Sequence, residues 1–170
     1  YFNDDMYMIR DCKPSDFYKN NLPKLFAVYD AIVPWAPITK TYLNNIELIY
    51  RHFPNKAAMK TSPWKFFNYR YGLRLFKNLV LLPWGPTGYV NPHLPVPMKK
   101  STLANLWQIE FETLDRTSKS KIRDYKVDVN QYICQYWQIE SNQFYPIAHN
   151  IGKSIDFNRL DQLDRIFKDK

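Results

Sequence analysis

An α/β domain rich in helices is what the sequence predicts, and three observations carry that expectation. Apolar residues recur at helical spacing in several stretches, proline cuts off short extended segments between them, and 45% of the 170 residues are hydrophobic. With 13 Tyr, 11 Phe and 5 Trp the chain can build a sizeable core, and its length suits one domain or most of one. Four Gly against 12 Pro argue against a flexible linker or low-complexity segment. The longest apolar run, at residues 79–84, is far too short to span a bilayer. No signal-peptide pattern opens the chain, and no internal repeat is present.

Taken in order, the chain opens on Tyr1-Phe2-Asn3-Asp4-Asp5-Met6-Tyr7-Met8, which reads as an apolar strand carrying two adjacent carboxylates. Residues 11–17 read as a loop containing Pro14, with one helical turn opening at Ser15. Residues 25–35 are a strand or extended segment bounded by Pro34 and Pro37. Leu43, Ile46, Tyr50 and Phe53 predict a helix over 39–53, stopped by Pro54. Ser62-Pro63 is a helix start, a cap followed by proline at the first position. Over 64–78, Trp64, Phe67, Tyr71 and Leu75 share one face, and Lys65, Arg70, Arg74 and Lys77 the other.

Residues 79–82 read as a short buried strand, and 83–95 as Pro-rich turn and loop. A helix is expected from Ser101 to about Leu114, then a polar loop over 116–126. The clearest helix follows, with Asp128 as its cap and Val129, Tyr132, Ile133, Tyr136 and Trp137 at helical spacing. A last helix is expected over 156–167. Cys12 and Cys134, far apart and without metal spacing, read as buried thiols in a reducing compartment.

The formal charge of +8 is unevenly placed. No Asp or Glu occurs from Leu48 to Ile109, a span that carries Arg51, Lys56, Lys60, Lys65, Arg70, Arg74, Lys77, Lys99 and Lys100. Such a surface attracts polyanions: phosphates, nucleic acid or an anionic membrane face. The plainer alternative is a set of solvated helix faces.

Three constellations could carry chemistry. Strand neighbours point to opposite faces, so Asp4 and Asp5 share one cation only if the backbone turns there. Mg²⁺ is held by one or two carboxylates, with substrate phosphates completing its shell. An Asn-Asp-Asp triplet also serves as a plain turn, and the residues leave both readings open. His93, between Pro92 and Pro95 and ahead of Lys99-Lys100, suits a general acid or base, or a donor to a phosphoryl oxygen. A lone histidine is more often structural, and His52 and His149 read that way. Arg123 suits bidentate phosphate recognition, the alternative being a surface salt bridge with Asp124 or Asp128. The helix start after Asp128 would also favour an anion. No Gly-rich phosphate loop, nucleophile elbow, zinc spacing or Ser/His/Asp order is present. A metal with basic residues and no protein nucleophile points to direct transfer between substrates.

Phe2-Asn3-Asp4-Asp5-Met6-Tyr7, followed by Lys13-Pro14-Ser15-Asp16-Phe17-Tyr18, resembles the F-N-D-D-M-F…P-x-D-F-F signature of the Stealth family. These are sugar-1-phosphate transferases of bacterial capsule synthesis, related to the catalytic subunit of the lysosomal-enzyme N-acetylglucosamine-1-phosphotransferase. A second block follows in order. His93-Leu94-Pro95-Val96-Pro97-Met98-Lys99 resembles the family's H-x-P segment, and Leu106-Trp107 through Leu114-Asp115-Arg116-Thr117 the helix after it. Lys121-Ile122-Arg123 with Asp128-Val129-Asn130-Gln131-Tyr132 resembles its F-R…D-V-x-x-Y-L stretch, and Phe144-Tyr145-Pro146 the tail of the block. The two blocks cover about residues 1–18 and 91–146.

The resemblance implies a GT-A-like nucleotide-sugar transferase core that binds its donor through Mg²⁺ or Mn²⁺. An acceptor hydroxyl would attack the sugar-proximal phosphorus, giving a phosphodiester and a nucleoside monophosphate. Carried over, Asp4 and Asp5 would hold metal and diphosphate, with Asn3 beside them. His93 would be acid/base or phosphate donor, and Arg123 a phosphate clamp. Lys99, Lys100 and Asp128 join the substrate side, with Lys99-Lys100 standing where many members have Arg. The implied donor is a nucleotide-sugar of the UDP class and the implied acceptor a polysaccharide or glycan. No nucleic acid is implied. The implied setting is cytoplasmic, with peripheral association at the inner membrane face left open. The family's W-V-D-G segment is not among these residues, and a domain rarely begins on its own active site. A fragment truncated at both ends is therefore expected. Its parts would be a metal-site region (1–38), a basic helical acceptor side (39–90), a His/Arg block (91–146) and a C-terminal helix (147–170). The alternatives are a GT-A glycosyltransferase that moves sugar alone and a non-catalytic basic module that binds nucleic acid or membrane.

Overall fold

The computed structural model describes residues 1–3 and 5–148 together with Gly152 and Ile155. Asp4, His149 and the helix expected over 156–167 lie outside the described residues.

Every residue of helix α8 (Tyr132–Glu140) is buried, from Tyr132 to Glu140. The sequence expectation for this stretch holds: Val129, Tyr132, Ile133, Tyr136 and Trp137 all sit in the core. A helix buried all round needs neighbours on every side. Helices α2 (Pro37–His52), α3 (Ala57–Thr61) and α6 (Lys100–Ile109) pack against it. The side chains that close this core, among them Ile49, Met59, Leu106, Tyr136 and Ile139, each contribute about 1.5–3 kcal/mol by leaving water.

A small sheet flanks the helices. After the short helix α1 (Pro14–Phe17), strands β1 (Tyr18–Lys19) and β2 (Leu22–Leu25) form an antiparallel hairpin, and β3 (Tyr145–Pro146) joins β2 in parallel. Lys19 pairs with Leu22, so the turn is Asn20-Asn21, both with positive φ of 52° and 60°. That is the conformation of the tight hairpin turn whose twist suits two strands, and asparagine tolerates it. Beyond β2 the chain stays extended. Val28 O accepts from Val90 N at 2.9 Å, and Asp30 N donates to Gly88 O at 3.0 Å. Gly88 has φ 142°, and a Cβ there would meet Asp30 O at 2.7 Å, so this approach requires glycine.

A polar hub ties these pieces to α8. Glu140 Oε1 accepts from the Tyr29 and Tyr89 hydroxyls, each at 2.5 Å. The buried Lys56 places its ammonium 4.2 Å from the centre of the Tyr29 ring and donates to Leu81 O at 2.6 Å. Burial pushes the Glu140 carboxyl above its ordinary 4.5, against the pull of the two hydroxyls and Lys56. Burial draws the Lys56 ammonium down to about 8, with Glu140 opposing. Asn78 completes the joint with three bonds to backbone. It receives Tyr29 N at 2.7 Å and donates to Ala27 O at 3.0 Å and Phe66 O at 2.7 Å.

Several sequence expectations are corrected. The helix over 39–53 is real but starts at Pro37, at the first-position site that proline favours. The single amphipathic stretch over 64–78 is broken into α4 (Pro63–Phe66), a 3-10 segment (Tyr69–Arg74) and α5 (Leu75–Val80). The chain leaves the helix at Phe67-Asn68 and again at Gly72, whose φ is 55°, and Trp64 is 64% exposed rather than core-facing. Residues 79–82 are no buried strand. They end α5 and turn, leaving Leu79 53% and Val80 67% exposed. The helix expected from Ser101 to Leu114 is two, α6 and α7 (Phe111–Lys119), parted at Glu110. Residues 116–119, expected in a loop, therefore belong to α7. Ser62 does precede Pro63 at the start of α4, but its hydroxyl accepts from Asn142 Nδ2 at 2.7 Å rather than capping the helix. Cys134 is buried as expected, whereas Cys12 is exposed.

Three outcomes follow from this packing. Asn78→Ala strands three buried backbone groups and should cost about 3 kcal/mol in urea unfolding, while Phe76→Ser on the exposed side of the same helix should stay within about 0.5 kcal/mol. A thiol reagent should titrate Cys12 in the native chain and Cys134 only after unfolding, because burial lifts the Cys134 thiol to about 12. For Glu140, a raised folded value means the native state holds the proton more tightly. Its contribution is therefore full below the ordinary 4.5 and is lost as pH rises through the raised value. Melting temperature should fall across that window, and Glu140→Gln should remove that component.

Candidate functional site

The first eight residues do not run as one strand. Tyr1 forms a two-bond clasp with Val96: its nitrogen donates to Val96 O at 2.9 Å, and Val96 N donates to Tyr1 O at 3.0 Å. A turn follows at once, with Met6 N donating to Asn3 O at 3.2 Å. The strand reading thus gives way to the turn reading, and the turn is what makes the site. It brings the Asp5 Oδ2 to 2.9 Å from His93 Nε2, across 88 residues of sequence. Asn3 lies within the turn, its Oδ1 accepting from the Tyr1 hydroxyl at 2.6 Å.

His93 carries an unusual backbone, with φ at 52° between Pro92 and Pro95. Left-handed conformations cost a non-glycine residue roughly 1–2 kcal/mol and cluster where a side chain must be aimed. The loop is held on both sides of the aim. Tyr1 clasps Val96, Gln138 Nε2 donates to Pro97 O at 3.1 Å, and Gln138 Oε1 accepts from Lys99 N at 2.8 Å. The His93 hydrogen bond is the main cause that holds the Asp5 carboxyl below its usual 3.8, so Asp5 is ionised in neutral solution. A carboxylate on Nε2 favours the tautomer with its proton there and leaves the Nδ1 lone pair free. Nδ1 faces the Tyr132 hydroxyl at 3.5 Å.

Tyr132 begins α8, and burial raises its phenol well above the ordinary value, keeping it a neutral hydroxyl. Its ring stacks on Tyr42 of α2, centroids 5.5 Å apart and 24° from parallel. The Arg123 charge in turn acts on the Tyr42 phenol, opposing the rise that burial causes. Asp5, His93, Tyr132 and Tyr42 therefore form one continuous set, with the Arg123 charge acting on its Tyr42 end. Tyr132 and Tyr42 were not read as functional in the sequence, because periodicity alone marks Tyr132 as core. The polar face of α2 was the missed signal. Asn45 exchanges bonds with Asn130, Nδ2 donating to Oδ1 at 2.6 Å and Oδ1 accepting from Asn130 N at 3.0 Å, and Asn44 Nδ2 donates to Asp128 O at 2.8 Å.

Asp128 does not cap α8. The Tyr132 N–H goes to Asn130 Oδ1 at 3.1 Å, and the helix starts at Tyr132. The buried Asp128 carboxylate instead accepts from the Ser120 hydroxyl at 3.1 Å and from Asp124 N at 2.8 Å. That braces the loop presenting Arg123. Neither Asp124 nor Asp128 pairs with the Arg123 guanidinium, which has no ion pair among the described residues. Lys99 and Lys100 sit at the start of α6, and their ammonium groups have no carboxylate partner among the described residues.

Among the described residues no group of three or more His, Cys, Asp and Glu side chains is arranged to hold a metal. Asp5 offers one carboxylate, 57% of its side chain open and one oxygen committed to His93. That donor set fits a hard cation that takes one or two carboxylates and completes its shell with phosphate oxygens. It does not fit a cation that needs a full protein cage.

No protein-family profile matches the chain, and no solved structure matches it. Curated proteins do. The chain is 37% identical over 155 residues to the capsular polysaccharide phosphotransferase WcwK of Streptococcus pneumoniae, covering 90% of this chain and 46% of that protein. It is 31% identical over 165 residues to the exopolysaccharide phosphotransferase cps2G of Lactiplantibacillus plantarum, covering 96% of this chain and 49% of that protein. A 77-residue stretch, 45% of this chain and 32% of its relative, is 56% identical to the capsular polysaccharide phosphotransferase eps5J of Streptococcus thermophilus. The chain spans about half the length of the curated relatives it matches over most of its own.

Proposed function

We propose, from the premise that the chain is a relative of the capsular and exopolysaccharide phosphotransferases whose Stealth-type motifs it carries, that it supplies the acid/base and phosphate-binding part of such an enzyme. The reaction would move a sugar-1-phosphate from a nucleotide-sugar of the UDP class to a hydroxyl of a saccharide acceptor. The single observation that carries this reading is the 2.9 Å contact of Asp5 with His93, made by two distant segments through a strained loop.

In this reading the acceptor hydroxyl approaches His93 Nδ1, which takes its proton. The acceptor oxygen forms a bond to the sugar-bearing phosphorus, the bridging P–O bond breaks, and nucleoside monophosphate leaves. Asp5 holds the imidazole in the tautomer with Nε2 protonated and stabilises the imidazolium that forms. Arg123 lies on a braced loop without an ion partner among the described residues, as a phosphate clamp requires. Lys99 and Lys100 add unpaired positive charge at the start of α6, where the loop that carries His93 ends. Mg²⁺ or Mn²⁺, held by Asp5 with Asp4, would supply charge neutralisation at the diphosphate. A GT-A-like core is the proposed setting, and the small mixed sheet with its helices is compatible with part of one.

Membrane contact belongs to the same proposal. No helix among the described residues is long and apolar enough to cross a membrane. Leu73, Phe76 and Val80 are exposed in the same stretch as Arg70, Arg74 and Lys77, which supports peripheral contact with an anionic surface.

The test uses the complete protein that contains this chain. His93→Ala should lower kcat about 10²–10⁴-fold, and Asp5→Asn should do so while weakening Mn²⁺ binding. Arg123→Lys, which keeps the charge and loses the fork, should cost about 10²-fold. All three should keep the native melting transition. Release of nucleoside monophosphate supports the reading; release of nucleoside diphosphate would assign sugar transfer alone, and unchanged turnover in the Asp5 and His93 variants would sink it.

A further inference from the structure

Helix α8 brings Tyr132, Gln135 and Gln138 to one side at a spacing of three residues. Gln138 is satisfied there by Pro97 O and Lys99 N. Gln135 is not. It is 3% exposed, and its Oε1 is buried with no hydrogen-bond partner among the described residues. Folded interiors rarely keep such an atom, because leaving it unpaired costs about 1–3 kcal/mol. The residue lines a cavity of about 30 Å³ that also takes in His93 and Tyr132. Pro92, Pro95 and Pro97 form an apolar wall of it. Lys24 lines it too, but its ammonium is engaged by Ser15 O at 2.6 Å.

Those features define the occupant by chemistry. The volume admits one hydroxyl or hydroxymethyl group and excludes a whole ring. The unpartnered group is a side-chain amide, which carries both an acceptor oxygen and a donor nitrogen, and a hydroxyl pairs with either. Apolar walls with a few polar groups, here Gln135, His93 and Tyr132, are how a pocket fixes a neutral substituent. We propose that Gln135 reads one hydroxyl of the saccharide that reacts beside His93. The inference rests on the phosphotransfer reading given above. The substituent enters the cavity while the ring stays outside against the proline loop, which sets the ring's approach to Nδ1. The hydroxyl can belong to the transferred sugar or to the acceptor glycan, which present the same chemistry here.

The experiment compares single-position deoxy analogues of the donor sugar and of the acceptor in the complete protein. The donors are UDP-glucose, UDP-galactose and UDP-N-acetylglucosamine with their deoxy counterparts. Omission of one hydroxyl, in one of the two substrates, should lower kcat/KM about 10–100-fold, chiefly through KM. Gln135→Met, close in volume, should cost the parent substrate a similar factor and leave the deoxy analogue within about 3-fold of its former value. Loss with donor analogues assigns the cavity to the transferred sugar, and loss with acceptor analogues assigns it to the attacking glycan. If phosphodiester forms but every deoxy analogue reacts within about 3-fold of its parent, the inference is overturned and the proposed function stands. Unchanged discrimination in a folded Gln135→Met protein also overturns it. No phosphodiester from any donor–acceptor pair overturns both readings. The deoxy series on the unaltered protein decides the matter even where the variant does not fold.

Discussion

A buried carboxylate at the end of one helix governs this structure. Glu140 takes two tyrosine hydroxyls on a single oxygen, one from the extended segment after β2 and one from the segment after Gly88. Both segments pair with each other through the backbone, so Glu140 fixes their distance from α8 as well as their register. Burial makes its carboxyl hold a proton more tightly, and the adjacent Lys56 lies in the core with it. Burying a charge demands partners with little freedom to move. The aromatic core supplies them, since Tyr29, Tyr89 and Tyr136 are packed ring on ring at 5.2 Å and 4.3 Å.

That constraint reaches the candidate site through α8 itself. Tyr132 stands at the opposite end of the helix from Glu140, about 12 Å away at 1.5 Å per residue. Rings continue along that path: Tyr136 lies 6.4 Å from Tyr132, and Tyr132 lies 5.5 Å from Tyr42. Gln138, between the two ends, holds the 97–99 loop by its side-chain amide. His93 is thus aimed from a loop whose anchor points are rigid. Its left-handed backbone is tolerable because the clasp at Val96 and the amide at Pro97 determine where the loop can go.

How much of this could be read from the sequence follows from the range of each interaction. Local signals held. The helical spacing from Val129 to Trp137 and the helix start at Ser62-Pro63 describe real elements, whereas Pro37, expected to bound an extended segment, opens α2. Where one residue broke a pattern, the reading failed. Gly72 divides a stretch whose spacing looked continuous, and 79–82 followed an apolar composition into a strand that solvent-exposed Leu79 and Val80 rule out. Asn20-Asn21, a pair that tolerates positive φ, is the sequence signal for the hairpin turn between β1 and β2. Within the site, residue types flagged Asp5, His93 and Arg123, but a count of residue types carries no distances. Tyr132 and Tyr42 join the site through a stacking contact between α2 and α8, and Gln135 through an absent bond. Spacing sets Gln135 one turn from Tyr132 on α8, but neither the ring contact nor the missing partner can be read from it.

The charge of the chain takes a different meaning once its partners are visible. The acid-free span from Leu48 to Ile109 is not a uniform basic face. Arg51 and His52 meet Glu110 just beyond it, Lys77 meets Asp30, Lys65 donates to Asn142 O, and Lys56 lies in the core. Lys99 and Lys100 keep no carboxylate within the described residues, and neither does Arg123 outside the span. Two of these three stand at the end of the His93 loop, and the third acts on Tyr42 beside Tyr132. Positive charge left unpaired on segments braced by Asp128 and Gln138 is what supports the proposal of an anionic substrate.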